Sequence, residues 1–326
     1  MAIEFLISFI GVFLVTVLLL KWLIPVLKSK KVGQKILDIG PRWHKSKEGT
    51  PTMGGVAFIL AILIVMCAFS VYSFVKGKNE RLIPLALTIG LATVNGLVGF
   101  IDDRCKLLKK ENEGLKAYQK FALQLVAAVL YLVAMNRTGY INTALHIPFT
   151  SIELELGWFY YVFAIFLITG MVNGVNLTDG IDGLAAGVTC VIGGFFAVYA
   201  FVFEFEALSL VSASILGATL GFLVYNFNPA RIFMGDTGSL FLGGIVTGCA
   251  FMIDDPLVIV ICGIIYIIEA ASVILQVGGY KLTRRRIFRM APIHHHFEKG
   301  GWSERKIFFV FCTLTLLFCG IAWLSL

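Results

Sequence analysis

The seven cysteines of this 326-residue sequence (Cys67, Cys105, Cys190, Cys249, Cys262, Cys312 and Cys319) show no metal-type spacing, and most lie inside apolar runs. An odd, scattered set excludes a disulfide framework and leaves them as small interior residues. No basic residue precedes Lys21. A cleaved signal peptide carries its charge before its apolar core, so the first apolar block reads as a retained span. Charge is scarce as well: charged residues make up 14%, with 27 Lys+Arg against 20 Asp+Glu. The formal +7 falls between apolar blocks, which points away from a nucleic-acid surface and toward a basic membrane face.

Apolar sequence is abundant. Hydrophobic residues reach 58% and mean hydropathy is +0.88, whereas soluble domains run at about 45–50% apolar. A span needs about 20 mostly apolar residues to cross roughly 30 Å of hydrocarbon. Ten such blocks are predicted, near 4–27, 53–75, 82–101, 118–136, 158–175, 183–201, 207–225, 238–253, 257–278 and 305–325. The fold class expected is an all-α integral membrane protein, one polytopic domain over 1–326. Gly243, Gly244 and Gly248 in the eighth block let neighbouring helices approach closely.

Orientation follows from counting Lys and Arg. The odd connections hold 22, seven of them in the first, six in the third and eight in the ninth; the even ones hold four, Lys76, Lys78, Arg81 and Arg137. The positive-inside rule places the odd connections in the cytoplasm and both termini outside. Residues 139–157 alternate, with Pro148 as a break, and read as a short β-hairpin on the outer face between spans four and five. His146 there is an ordinary surface histidine.

This orientation gathers the polar clusters on one face. Asp102-Asp103 closes the third span, Asn176 through Gly183 links spans five and six, Asn226 through Ser239 links seven and eight, and His294-His295-His296 lies in the ninth connection. Each has a plain structural alternative. Asp236 or Thr237 caps a helix; Asp179 and Asp182 form turns; the histidines are an exposed loop; the run Arg284-Arg285-Arg286 is topogenic or touches anionic lipid. An acidic pair at a helix C-terminus, however, opposes the macrodipole and calls for a cationic partner. Several carboxylates beside Lys and His describe a hard-cation site rather than a zinc site. Glycine-rich entries at 180–183 and 235–238 offer backbone N–H groups to phosphate. Glu269, deep in span nine, reads as a structural buried acid.

Five runs carry a resemblance across essentially the whole chain: Gly49-Thr50-Pro51-Thr52-Met53-Gly54-Gly55, Asp102-Asp103, Asn173 through Gly183, Asn226 through Ser239, and Pro292-Ile293-His294-His295-His296-Phe297-Glu298. They resemble the polyprenyl-phosphate N-acetylhexosamine-1-phosphate transferases, nearest the branch that handles phospho-MurNAc-pentapeptide. The resemblance implies a Mg²⁺-dependent transfer of phospho-MurNAc-pentapeptide from UDP-MurNAc-pentapeptide to undecaprenyl phosphate, giving lipid I and UMP. It implies a homodimer in the bacterial cytoplasmic membrane with its active site facing the cytoplasm. Asp236 would be the metal ligand, Asp102 and Asp103 further catalytic carboxylates, and His294 the essential histidine, with His295 and His296 beside it in substrate binding. Lys47, Gly180, Ile181, Asp182, Asn226 and Phe233 would hold the uridine end. Thr52, Asn173, Asn176, Asp179, Lys106, Lys120 and Gln276 would line the rest of the site.

A lipid monophosphate is largely dianionic at pH 7, its second pKa lying near about 6. Charge neutralisation and in-line positioning therefore matter more than deprotonation, and direct transfer fits better than a covalent aspartyl-phosphate route. Two competitors are a GlcNAc-1-phosphate transferase of the same superfamily and a lipid or anion transporter. A transporter should show internal repeats and ionisable groups at mid-bilayer, and the sequence has no convincing repeat.

Overall fold

The computed structural model describes residues 1–30, 47–109 and 114–326. Lys31, Lys35, Arg42, Lys45 and Lys110, counted above, lie outside the described residues. The protein is mostly helical. In chain order the helices are α1 (Ala2–Ser29), α2 (Gly55–Val75), α3 (Leu82–Lys109), α4 (Ala117–Arg137), α5 (Trp158–Thr178), α6 (Leu184–Val202), α7 (Glu206–Asn226), α8 (Gly235–Met252), α9 (Val258–Cys262), α10 (Ile264–Thr283), α11 (Ile293–Lys299) and α12 (Glu304–Trp323). Between α4 and α5, β1 (Ala144–His146) pairs antiparallel with β2 (Glu153–Glu155), with Leu145 opposite Leu154. The hairpin expected there is present.

Among the described residues, nine helices are long and apolar enough to cross a membrane: α1 to α7, α10 and α12. The protein is thus a multi-pass membrane protein. Helix α8 is not in that set, because its polar first turn and its glycines dilute its hydropathy. It sits instead at the centre, buried at every residue from Thr237 to Met252. It packs against α2, α3, α5, α6, α7 and α9. Gly243 lies on the Val172 backbone of α5 and Gly244 on the Ala92 backbone of α3. With lipid outside, helices gain from close van der Waals packing rather than from leaving water, and small residues permit it.

Two expectations are corrected. The ninth block is not one helix: it breaks at Gly263, which ends α9 and begins α10. Glycine supports that break because it gains least from helical order. Nor does the acidic pair close a helix, since α3 runs on to Lys109. The cationic partner that the macrodipole argument called for is within α3 itself, where Lys106, one turn on, lies 2.7 Å from Asp102. At the other end of α3, Arg81 and Lys78 meet Glu4 of α1 and Glu206 of α7. That knot ties three helices together away from the carboxylates.

Candidate active site

The site begins where α8 begins. Gly235 takes a left-handed backbone (φ 72°), and a side chain there would run into Asp103. The turn delivers the first N–H groups of α8 to the Asp103 carboxylate. Asp236 N–H donates to Oδ1 at 3.2 Å, while Thr237 donates to Oδ2 through its N–H at 2.9 Å and its hydroxyl at 2.7 Å. A helix N-terminus leaves N–H groups without partners, and Asp103 caps this one from a different helix. The local capping role weighed for Asp236 or Thr237 is therefore filled by Asp103.

Asp236 is left free to face the other way. Its Oδ2 accepts from Lys106 at 3.0 Å and Lys120 at 2.7 Å, and its Oδ1 from the Asn176 amide at 3.0 Å. Asn176 also donates to Ser239 at 2.8 Å and accepts from Lys120 at 3.2 Å. Asp102, 3% exposed, takes Lys106 on Oδ2 at 2.7 Å and the Leu115 N–H on Oδ1 at 2.7 Å. Helices α3, α4, α5 and α8 thus converge on one ion network. Asn173, one turn before Asn176, exchanges hydrogen bonds with Gln124 of α4, its amide reaching Gln124 at 2.7 Å. Gln124, one helical turn beyond Lys120, escaped sequence reasoning because no motif contains it.

One oxygen from each of Asp102, Asp103 and Asp236 lies within 4.8 Å of the others. An all-carboxylate donor set suits a hard divalent cation, and the Lys106 ammonium already shows that positive charge is accommodated between them. These residues fit such an ion. Of the three, Asp236 and Asp102 would be the better ligands, because Asp103 is committed to the α8 terminus.

Above this cluster, Gly54 N–H donates to the Phe233 carbonyl at 2.8 Å, Gly55 N–H to Met234 at 3.0 Å, and Phe233 N–H to Pro51 at 2.8 Å. Pro51, Gly54 and Gly55 thus strap the segment that leads into α2 onto the approach to α8. Thr52 places its hydroxyl beside Gly235.

A second network lies in the 179–183 turn. Asp182, 2% exposed, pairs with Lys47 at 2.7 Å through Oδ1, and accepts from Asn228 at 3.1 Å and Ala230 N–H at 2.9 Å through Oδ2. Glu304, at the start of α12, accepts from Lys47 at 2.7 Å and from Asp182 N–H at 3.0 Å. Asn226 accepts from Gly183 N–H at 3.0 Å and donates to Ile232 at 2.8 Å. Lys47, Asp182 and Asn226 are therefore brought together, with Gly180, Ile181 and Phe233 on the same two segments. Burial pushes the Asp179 carboxyl well above the usual carboxylate range, and Asp236, Asp103 and Asp182 push it the same way.

The phosphate-facing backbone expected at the two glycine-rich entries is largely occupied. Asp236 and Thr237 N–H serve Asp103, Asp182 N–H serves Glu304, and Gly183 N–H serves Asn226. The cationic donors at the cluster are side chains, Lys106 and Lys120, both held by the carboxylates.

The three histidines are not an exposed loop. They sit on α11, with His294 0% and His295 9% exposed. His295 pairs with Glu298 at 2.9 Å, and His296 Nδ1 accepts from Arg289 N–H at 3.1 Å. Gln276 accepts from Ile287 and Phe288 N–H at 3.0 and 2.9 Å and donates to the Phe288 carbonyl. Its amide clamps the basic loop that follows α10.

Residues 85–254 match the family model Glycosyl transferase family 4. Residues 47–59, which include the strap, match Phospho-N-acetylmuramoyl-pentapeptide-transferase signature 1. The chain is 45% identical over 305 residues to a Phospho-N-acetylmuramoyl-pentapeptide-transferase of Staphylococcus aureus (strain bovine RF122 / ET3-1), covering 93% of each chain. It is 45% identical over 311 residues to the like-named protein of Listeria monocytogenes serotype 4b (strain CLIP80459), covering 95% of this chain and 94% of that one. A third relative of the same name, from Staphylococcus epidermidis, is 43% identical over 306 residues.

Proposed function

The chain belongs to the phospho-N-acetylmuramoyl-pentapeptide-transferase family, and on that premise we propose that it transfers phospho-MurNAc-pentapeptide from UDP-MurNAc-pentapeptide to undecaprenyl phosphate, releasing UMP and forming lipid I. The observation that carries the reading is the Asp236 centre. Three carboxylates and two lysines meet at the end of a bundle of apolar helices, where a lipid-borne phosphate can reach a water-soluble nucleotide. An oxygen of the lipid phosphate forms a bond to the phosphorus that carries the sugar. The bond from that phosphorus to the UMP oxygen breaks, and UMP leaves with the electron pair.

That encounter concentrates negative charge, so the chain's task is to neutralise and align. Lys106 and Lys120 are tethered by Asp236 close enough to turn toward phosphate oxygens. Asp236 with Asp102 would hold Mg²⁺, which supplies a further positive charge to the diphosphate when bound. Asp103 fixes the α8 terminus so that Asp236 does not drift. The turn bearing Asp182, with Lys47 and Asn226, would take the uridine end. No residue is needed to deprotonate a lipid phosphate that is already mostly dianionic, which argues against a general-base role for Asp102 and suits direct transfer by the lipid phosphate itself.

The same proposal reads 1–326 as one bundle in the bacterial cytoplasmic membrane. It takes α8 as a tenth crossing, both termini outside, the carboxylates at the cytoplasmic face, and a homodimer as the assembly. The Lys and Arg asymmetry supports the orientation, and the family resemblance supports the dimer.

The test is a choice of substrates. Purified full-length protein with undecaprenyl phosphate and Mg²⁺ is given UDP-MurNAc-pentapeptide or UDP-GlcNAc, and lipid products are identified by mass. Lipid I and UMP are expected from the first donor. Turnover with UDP-GlcNAc alone would overturn the proposal in favour of the sister branch, and absence of any lipid product would overturn it as an enzyme.

A further inference from the structure

We infer that Glu269 positions His294, and that the pair, seated against Gly180, holds the 179–183 turn in register for the nucleotide; this rests on the reading of that turn as the uridine end. Glu269 lies within α10 and is 0% exposed, as is His294. A carboxyl buried at that depth persists only with a partner. Both of its oxygens are directed at one residue. Oε1 lies 3.0 Å from His294 Nδ1, and Oε2 accepts from the His294 N–H at 3.5 Å. Neither Oε1 nor either ring nitrogen of His294 has a hydrogen-bond partner among the described residues. The acid and the imidazole therefore have only each other along that edge, and Glu269 decides how the ring is turned.

The opposite edge of the ring supplies the second half of the inference. His294 Nε2 abuts Gly180, so closely that a Cβ at position 180 would overlap it. Two residues on, Asp182 makes its contacts with Lys47, Asn228 and Ala230. A rotation of the imidazole is thus passed to Gly180 and from there to the turn that carries Asp182. Because His294 is fully enclosed, it reaches the reaction through Gly180 rather than by touching phosphate. That makes His294 a positioning residue here, in place of the catalytic role the resemblance implies, and Glu269 the residue that orients it. His295, its ring tilted against that of His294 with centroids 4.1 Å apart, and His296 have separate partners and do not share this task.

The experiment uses full-length protein and two readouts, UMP affinity by calorimetry and steady-state kinetics with UDP-MurNAc-pentapeptide. Glu269→Gln keeps the shape but turns one of the two acceptor oxygens that face His294 into an amide. Gly180→Ala pushes the ring from the other side. Both are expected to weaken UMP binding and raise KM by on the order of tenfold, the scale seen when an outer partner of a functional histidine is removed, with kcat changed by less than about threefold. Glu269→Asp, which restores a carboxylate, is expected to recover part of the loss. A fall in kcat with UMP affinity and KM unchanged would overturn the inference and make His294 a catalytic residue. A lowered thermal midpoint with both readouts at wild-type values would overturn it as well, leaving Glu269 a purely structural acid. If wild-type protein turns over no UDP-MurNAc-pentapeptide, the functional reading fails while the UMP arm still decides between these outcomes.

Discussion

Replacing Asp236 by Asn is expected to leave less than about one per cent of wild-type UMP release, because losing one preorganised electrostatic contact at a charged transition state costs about 10²–10³-fold. Asp236 Oδ2 anchors Lys106 and Lys120 together. An amide carries no charge to hold two ammonium groups, and one of its faces would present hydrogens to them. Both cations then swing away from the phosphates, and the proposed cation loses its better ligand. The backbone of α8 is untouched, since its cap is Asp103, so the thermal midpoint should stay near that of the wild type. Asp103→Ala should behave in the opposite manner. It gives up a helix cap worth about 0.5–2 kcal/mol, lowering the midpoint, while its kcat falls less than that of Asp236→Asn. UMP release and thermal unfolding of the two variants side by side check this. Full turnover in Asp236→Asn would refute its role.

Gly99→Ala should damage both stability and turnover, although Gly99 bears no chemistry. It lies on α3 one turn before Asp103, and a Cβ there would overlap the Asp236 carbonyl. That neighbour is backbone and cannot rotate aside. Overpacking of this kind costs about 1–3 kcal/mol, and it acts at the α3–α8 contact that sets the distance between Asp102 and Asp236. Displacing a reacting group by about 1 Å costs on the order of 10²-fold. Gly90→Ala is the control on the same helix, because nothing lies within 4 Å of its new methyl, and alanine favours a helix over glycine. Thermal midpoints and UMP release should separate the two variants, with Gly99→Ala impaired and Gly90→Ala at or above wild type. Equal behaviour would mean that the close crossing does not position the site.

The difference between Asp103 and Asp236 shows where sequence reasoning stops. Both acids stood out as members of polar runs at the ends of apolar blocks, and hydropathy sufficed for that. Their division of labour depends on a hydrogen bond between residues 133 positions apart, which no local pattern records. Helix α8 illustrates the same limit from the other side. Its glycines and polar first turn weaken it as a span by composition, yet they are what let it pack at the centre and open onto the carboxylates. The hairpin at 144–155 was legible because strand alternation is a local signal. The break at Gly263 was not, since one glycine in an apolar run is compatible with a continuous helix. Glu304 and Gln124 fall outside every motif, and only folding brings them to Lys47 and Asn173. Glu269 was noticed as a buried acid, but its partner lies 25 residues away across a loop.

The central claim is that the carboxylates joining α3 to α8 form the centre where a divalent cation meets the nucleotide diphosphate. Electron paramagnetic resonance with Mn²⁺ as the probe, on full-length protein with UDP-MurNAc-pentapeptide present, tests it most directly. Bound Mn²⁺ is predicted in the wild type and in Glu269→Gln at saturating nucleotide, and it should be lost in Asp236→Asn. Mn²⁺ held equally well by Asp236→Asn would contradict the account.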